Sequence, residues 1–215
     1  MGEIKKVYDC VVNMNEDGIV GAVEAAVKQG YSAKEIYEKG LSNGILKVTE
    51  LFERKEYYIP EVIVCADTLK KGINHLDSIG GGKSEKGPKV ILAVVEGDHH
   101  EIGKNIVKII MEAANFQVID LGLNVKAEEV VRRAIEEEAD AIGLSTMMTT
   151  TMASMEEVVD LLGKENSING KVPKVIIGGG CISQKYADEI ACDGYAQNAV
   201  EGVKLMQELI GGGKN

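Results

Sequence analysis

The hydrophobic period changes once along this chain, and that change constrains the fold more than any other feature. From Ile4 to Ile79 the apolar residues recur at helical spacing: Ile4, Val7 and Val11, then Ile45, Val48 and Phe52, then Val62, Ala66, Leu69, Ile73 and Leu76. After Pro88, short β-branched runs alternate with amphipathic stretches. The two patterns cannot share one element type, so the chain divides into two units of different class. In the first unit Asn15 to Gly18 break one helix from the next, Gly30 ends the second, Ser32 can cap the third and Pro60 can start the last. Residues 1–79 therefore read as a four-helix bundle, or as five helices if Gly40 and Gly44 split the third.

Between the units lies Gly80 to Pro88, GGGKSEKGP, whose glycines, charges and closing proline mark a linker over 80–88. Its Gly-Lys-Ser invites comparison with the phosphate loop G-x-x-x-x-G-K-[ST]. The first glycine of that pattern would fall on Asp77, no strand precedes it, and Gly87-Pro88 stand where a helix would begin, so the motif is rejected.

In residues 89–215 the strand runs are Val90 to Val95, Gln117 to Asp120, Ala141 to Ser145 and Val175 to Ile177, with a weak one at Gly194-Tyr195. Helices start near Ile102, Lys126, Thr151 and Ser183, and a last one runs from Ala199 to Ile210. Five βα units predict an α/β fold, a Rossmann-like (flavodoxin-like) five-stranded parallel sheet with helices on both faces. Ligands on such sheets bind beyond the carboxyl ends of the strands, so the site is expected directly after Val95, Ser145 and Ile177.

Composition excludes several partners. A net charge of -10 opposes a phosphate backbone, and 4% aromatic content without Trp leaves little on which bases could stack, so no nucleic acid is expected. The cysteines, Cys10, Cys65, Cys181 and Cys192, show no C-x-x-C spacing and read as core residues rather than as a zinc ribbon or redox dithiol. No apolar run reaches the roughly 20 residues that span a bilayer, and the N-terminus does not read as a signal peptide, so no membrane and a cytoplasmic location are expected.

The first strand runs into Glu96-Gly97-Asp98-His99-His100-Glu101-Ile102-Gly103, which places D-x-H-x-x-G, formed by Asp98, His100 and Gly103, on the functional edge. A metal-binding imidazole needs its other ring nitrogen fixed by an acceptor, and a carboxylate two residues earlier can supply it. Gly103 opens a helix where a side chain would block a ligand. His99 is a second imidazole on the same loop. The third strand ends in Gly143-Leu144-Ser145-Thr146-Met147, offering a hydroxyl, and the fourth in Gly178-Gly179-Gly180, offering bare backbone. A metal ligand, a hydroxyl and bare backbone on adjacent strand ends suit a large cofactor with a long tail better than a small substrate.

On these residues the sequence resembles the corrinoid (cobalamin-binding) proteins of methyltransferase systems, over nearly its whole length. The family's D-x-H-x-x-G supplies the histidine that becomes the lower axial ligand of cobalt and displaces the cofactor's own dimethylbenzimidazole. The resemblance therefore implies a cobalamin or related corrinoid bound His-on, with His100 as the metal ligand selected by register over His99, and with Asp98, His99, Ile102 and Gly103 around it. Ser145-Thr146-Met147 is similar to the family's Ser-x-Leu motif, with Met147 in place of leucine. Gly178-Gly179 is similar to its Gly-Gly motif, and Asp193-Gly194-Tyr195-Ala196 to its last strand end. These imply tail contacts from Ser145, Met147, Gly178, Gly179 and Tyr195. Residues 1–79, above all Tyr57-Tyr58-Ile59-Pro60-Glu61-Val62, are similar to the family's helical cap, which covers the upper face of cobalt.

The resemblance implies a methyl carrier. A donor-specific methyltransferase, with an O-methyl donor favoured, places a methyl group on cobalt, and a second methyltransferase passes it to tetrahydrofolate or coenzyme M. A reductive activation protein completes the set of partners. His100 is expected to bind and release cobalt during the cycle, with Asp98 holding or supplying the balancing proton. No constellation for activating a methyl donor is visible, so no catalytic residue is assigned and the chain alone is expected not to demethylate a substrate. D-x-H-x-x-G also occurs in small subunits of adenosylcobalamin-dependent mutases and in cobalamin sensors. The cap weighs against the first alternative, and the missing output domain against the second.

Outside this set the readings are plain. His75 reads as a solvated or capping histidine, and Met147, Met148, Met152 and Met155 as flexible core filling. Thr149-Thr150-Thr151 reads as a helix N-terminus with one Thr as cap, Glu136 to Glu138 as a solvated helix end, and Gly211 to Gly213 as a disordered tail.

Overall fold

The computed structural model describes residues 2–79, 87–114, 116–164 and 172–211. The chain forms two compact units, Met1–Lys86 and Gly87–Asn215. The linker reading falls largely on residues 80–86, outside the described residues, as does the glycine tail from Gly212 onward. Gly87 and Pro88 already belong to the second unit, since their carbonyls accept from Gln117 Nε2 at 2.7 Å and Gln117 N at 2.9 Å.

In the first unit α1 (Glu3–Val12) and α2 (Ile19–Lys28) precede a rod made of α3 (Ala33–Glu35), a π-helical stretch (Ile36–Ser42) and α4 (Asn43–Glu53). The last helix, α5, runs Ile59–Ser78. Ser32 starts the rod with a capping box. Its hydroxyl accepts from Glu35 N at 3.2 Å, and the Glu35 carboxylate accepts from Ser32 N at 3.2 Å. Gly40 and Gly44 do not split the rod. A Cβ on Gly40 would lie 2.9 Å from Val7 Cγ1, and one on Gly44 2.8 Å from Val11 Cβ. Val7 and Val11 are successive turns of α1, so the glycines let α1 press against the rod. Val7, Val11, Ile19, Ile36, Leu41 and Ile45 are fully buried between these helices.

In the second unit five strands, β1 (Lys89–Val94), β2 (Gln117–Asp120), β3 (Ala141–Ser145), β4 (Lys174–Gly178) and β5 (Gly194–Ala196), pair in parallel in the order β2-β1-β3-β4-β5. The intervening helices are α6 (Ile102–Ala113), α7 (Ala127–Glu136), α8 (Ala153–Lys164), α9 (Gln184–Glu189) and α10 (Ala199–Gly211). Alternate strand residues face opposite layers. Ile91, Ala93, Ile142, Leu144, Val175 and Ile177 pack with α7, α8 and α9, whereas Val90, Leu92, Ala141 and Ile176 pack with α6 and α10. Both faces being buried explains the continuous apolar runs in the sequence. Connections run outward in both directions from between β1 and β3, so the loops after these two strands diverge there and open the crevice in which such sheets bind ligands.

Candidate functional site

The loop after β1 enters this crevice with Asp98 fully buried and His100 60% exposed at its side chain. A carboxylate survives burial only when its lone pairs are filled, and here all are used. Asp98 Oδ1 accepts from His100 N at 2.8 Å and binds His100 Nδ1 at 2.7 Å. Asp98 Oδ2 accepts from Thr146 Oγ1 at 2.5 Å and Met147 N at 2.7 Å. Burial alone would raise the Asp98 pKa, but the bonds from Thr146, Met147 and His100 together hold it well below the usual carboxylate range. Against an anion, Nδ1 is the donor, and Nε2 is the ring nitrogen left at the exposed edge. His99 is exposed on the same loop, but the carboxylate orients His100.

Thr146 carries no role in the sequence reading, yet it joins β3 to the histidine loop. It is fully buried and shares a 2.6 Å hydrogen bond with Thr151 Oγ1. Thr151 sits in a 3₁₀ turn (Thr149–Thr151) and turns its hydroxyl inward; because the Thr146 proton goes to Asp98, Thr151 donates to Thr146 Oγ1, with the Met148 carbonyl 2.9 Å away, instead of capping a helix. The loop after β2 adds a second support. Asn124 N donates to the Asp98 carbonyl at 3.1 Å, and Asn124 Oδ1 accepts from Gly97 N at 2.7 Å. Near the start of α6 the buried Lys104 ammonium donates to Asp120 Oδ1 and to Asn105 Oδ1, each at 2.7 Å.

The other expected residues spread along the strand ends. Ser145 closes β3 in register with Val94 and Gly178. Gly178 lies against the Ala196 carbonyl, where a Cβ would come to 3.0 Å. Gly179 has φ +130°, and a Cβ there would sit 1.8 Å from the Thr146 carbonyl oxygen, so its lack of a side chain is demanded by backbone packing. Gly103 is the opposite case, because a Cβ there would meet nothing within 4 Å. Tyr195 on β5 pairs with Ile177 and is half-buried against the core. Between β1 and β5 lie two strands, so the edge spans three strand spacings, about 14 Å. Four exposed apolar side chains stand at these strand ends: Ile102 (65%) at the start of α6, and Met147 (52%), Met148 (39%) and Leu123 (38%) on the loops after β3 and β2. The methionines thus divide: Met155 is core, Met152 packs against it, and Met147 and Met148 face outward, with Met147 Sδ accepting from Gly180 N at 3.2 Å.

Residues 88–204 and 3–77 each match a family described as a B12 binding domain. The chain is 39% identical over 209 residues to dimethylamine corrinoid protein 2 of Methanosarcina acetivorans, covering 96% of this chain and 95% of that one. The chain belongs to the B12-binding corrinoid protein family. A corrinoid protein of Desulfitobacterium hafniense is 35% identical, covering 98% and 99%. Among solved structures, the methanol:cobalamin methyltransferase complex of Methanosarcina barkeri matches with a TM-score of 0.79 and 30% identity, over 98% of this chain and 80% of that one. A cobalamin-binding protein of Desulfitobacterium hafniense matches with a TM-score of 0.80 and 31% identity, over 96% and 98%.

The residues present fit the corrinoid cofactor of this family. An exposed imidazole with its second nitrogen fixed is the protein ligand that a macrocycle-bound metal requires. The apolar side chains beside it offer a surface on which a large ring can rest. The open space at Gly103 is room that the chain's own packing does not need. Among the described residues no helix is long and apolar enough to cross a membrane.

Proposed function

We propose that this chain carries a methyl group on a corrinoid whose cobalt is bound by His100 Nε2, between a donor-specific methyltransferase and an acceptor methyltransferase acting on tetrahydrofolate or coenzyme M. The observation that carries this reading is the 2.7 Å contact of His100 Nδ1 with buried Asp98, which leaves an exposed, oriented nitrogen in the crevice between β1 and β3. When bound, the corrinoid supplies a cobalt that can accept and return a methyl group. The chain supplies the rest. Asp98 holds the Nδ1 proton and the ring orientation, and Ile102, Gly103 and Met147 border the histidine. Ser145, Gly178, Gly179 and Tyr195 line the strand ends along which a displaced nucleotide tail would run. Residues 87–215 act as the cofactor unit, residues 80–86 as linker and residues 1–79 as cap. A reductive activation protein is the third partner, and the setting is the cytoplasm.

The donor belongs to the partner enzyme. Similarity to dimethylamine corrinoid proteins at 39% weighs towards an N-methyl donor, and similarity to a methanol:cobalamin methyltransferase complex at 30% towards the O-methyl donor expected from the sequence.

The test uses protein labelled with ¹⁵N-histidine and loaded with cob(II)alamin. A protein imidazole on cobalt gives a doublet nitrogen splitting in the EPR spectrum, and the cofactor's own base a triplet. The doublet is expected in the parent chain and in His99→Ala, and its loss in His100→Ala. A doublet that survives in His100→Ala and vanishes in His99→Ala overturns the assignment. Demethylation of dimethylamine or methanol by the loaded chain without a partner methyltransferase overturns the carrier reading.

A further inference from the structure

Among the described residues the hydrogen bonds that orient His100 run to Asp98, whose Oδ1 binds both its backbone nitrogen and its Nδ1. The precision of the imidazole is therefore the precision of residues 97 and 98. From the β3 side Thr146 and Met147 pin the Asp98 carboxylate, but they leave its backbone untouched. Immediately before it stands Gly97, with φ +83° and an intrinsically free backbone. Gly97 cannot be stiffened by a side chain, because a Cβ would come 2.9 Å from Thr151 Cγ2. Within the turn Asp98 N donates to the Val95 carbonyl at 3.1 Å, which leaves Gly97 N and the Asp98 carbonyl to be held from a neighbouring loop.

Asn124 occupies that place. It adopts φ +53°, a left-handed conformation that Asn tolerates better than most residues. This conformation brings its backbone N–H and its side-chain oxygen to the same strip of the neighbouring loop. The N–H donates to the Asp98 carbonyl at 3.1 Å, and Oδ1 accepts from Gly97 N at 2.7 Å. The two bonds grip consecutive residues of the histidine loop and fix both position and direction. The gripping loop is itself anchored to the sheet, with Val125 N donating to the Val94 carbonyl at 3.0 Å and Val94 N to the Gly122 carbonyl at 3.0 Å.

We propose that Asn124 is a positioning residue for cobalt ligation, acting through Gly97 and Asp98 to hold the His100 ring in its ligating orientation; this rests on His100 being the cobalt ligand. The contribution assigned to its side chain is the acceptor on Gly97 N.

Two variants separate that acceptor from the backbone. Asn124→Gly keeps the positive φ and removes the acceptor, whereas Asn124→Asp keeps an acceptor of the same reach. Each full-length variant is labelled with ¹⁵N-histidine and loaded with cob(II)alamin, and the ratio of doublet to triplet splitting is read. Only corrinoid-loaded, folded molecules contribute to that ratio, so a lower yield does not distort it. Losing one solvent-facing hydrogen bond should lower the ratio roughly threefold in Asn124→Gly, with Asn124→Asp close to the parent. A parental ratio in Asn124→Gly, or an equal loss in both variants, overturns the role of the acceptor. His100→Ala is run beside them: a doublet persisting there overturns the ligand assignment itself, independently of how the Asn124 variants behave.

Discussion

Thr146 donates its hydroxyl proton to Asp98 Oδ2 at 2.5 Å, across 48 positions of sequence and with both residues fully buried. A hydrogen bond to a buried charge contributes about 1.5–3 kcal/mol, more than a neutral one. Thr146→Val keeps the shape and deletes the donor, so it should destabilise the corrinoid-free chain by about 2 kcal/mol in urea unfolding, and Thr146→Ser by less than about 1 kcal/mol. Equal stability of the parent and Thr146→Val would show that the carboxylate finds another donor.

Gly103 and Gly179 look alike in sequence but differ in what surrounds them. A Cβ at Gly179 would strike the Thr146 carbonyl, in a backbone conformation that L-residues rarely adopt, so Gly179→Ala should cost about 3 kcal/mol or more before any cofactor is added. Gly103 lies in the first turn of α6 with open space beside it, so Gly103→Ala should leave stability unchanged or raise it by up to about 1 kcal/mol. If the corrinoid uses that space, Gly103→Ala should bind it at least about tenfold more weakly despite an intact fold. Thermal melts of the corrinoid-free variants and absorbance titration with cobalamin separate the two effects.

Lys104 and Asp120 form an ion pair at 2.7 Å, with side chains only 2% and 18% exposed. Burial alone would raise the Asp120 pKa, but the bonds from Lys104, the Gly122 amide and Lys108 win and hold it low. A carboxylate depressed in the folded state contributes its full stability above the unfolded value near 4, and loses it as pH falls through the lower folded value. The parent should therefore lose stability below about pH 4, and Asp120→Asn should lack this component of the loss. At pH 7 Asp120→Asn strands a buried ammonium and should cost about 3 kcal/mol. Lys104→Met should cost less, because Asp120 keeps Lys108 at 3.3 Å and the Gly122 amide at 2.9 Å. Urea titrations from pH 7 to pH 3 give both comparisons.

What was legible in the sequence follows the range of the interactions. Strands β2 (Gln117–Asp120) and β3 (Ala141–Ser145) are as the pattern predicts, β1 and β4 differ from it by one residue at each end and β5 by one at its C-terminal end; in β1, β3 and β4 burial of both faces leaves apolar runs that are easily read. Ser32 and Pro60 mark their helices by local chemistry and were readable for the same reason. The D-x-H spacing offered an acceptor two residues before His100, and the Asp98 carboxylate is bound to the His100 ring. Thr146 and Asn124 were not readable: they reach Asp98 and Gly97 across 48 and 27 positions, and no periodicity encodes a contact of that separation. Gly40 and Gly44 left the helix count open for a related reason. Their signal is the approach of another helix, and taken locally it resembles a break.

The four outward apolar side chains, Ile102, Leu123, Met147 and Met148, have a colloidal consequence. Before cofactor is loaded, these four apolar side chains face solvent, and they are the ones that a corrinoid should hide. Two unloaded molecules that meet there gain by sticking, with only the net charge of -10 to keep them apart, and salt weakens that repulsion. Unloaded protein should therefore cluster reversibly as ionic strength rises, and corrinoid should disperse the clusters at concentrations that saturate the site.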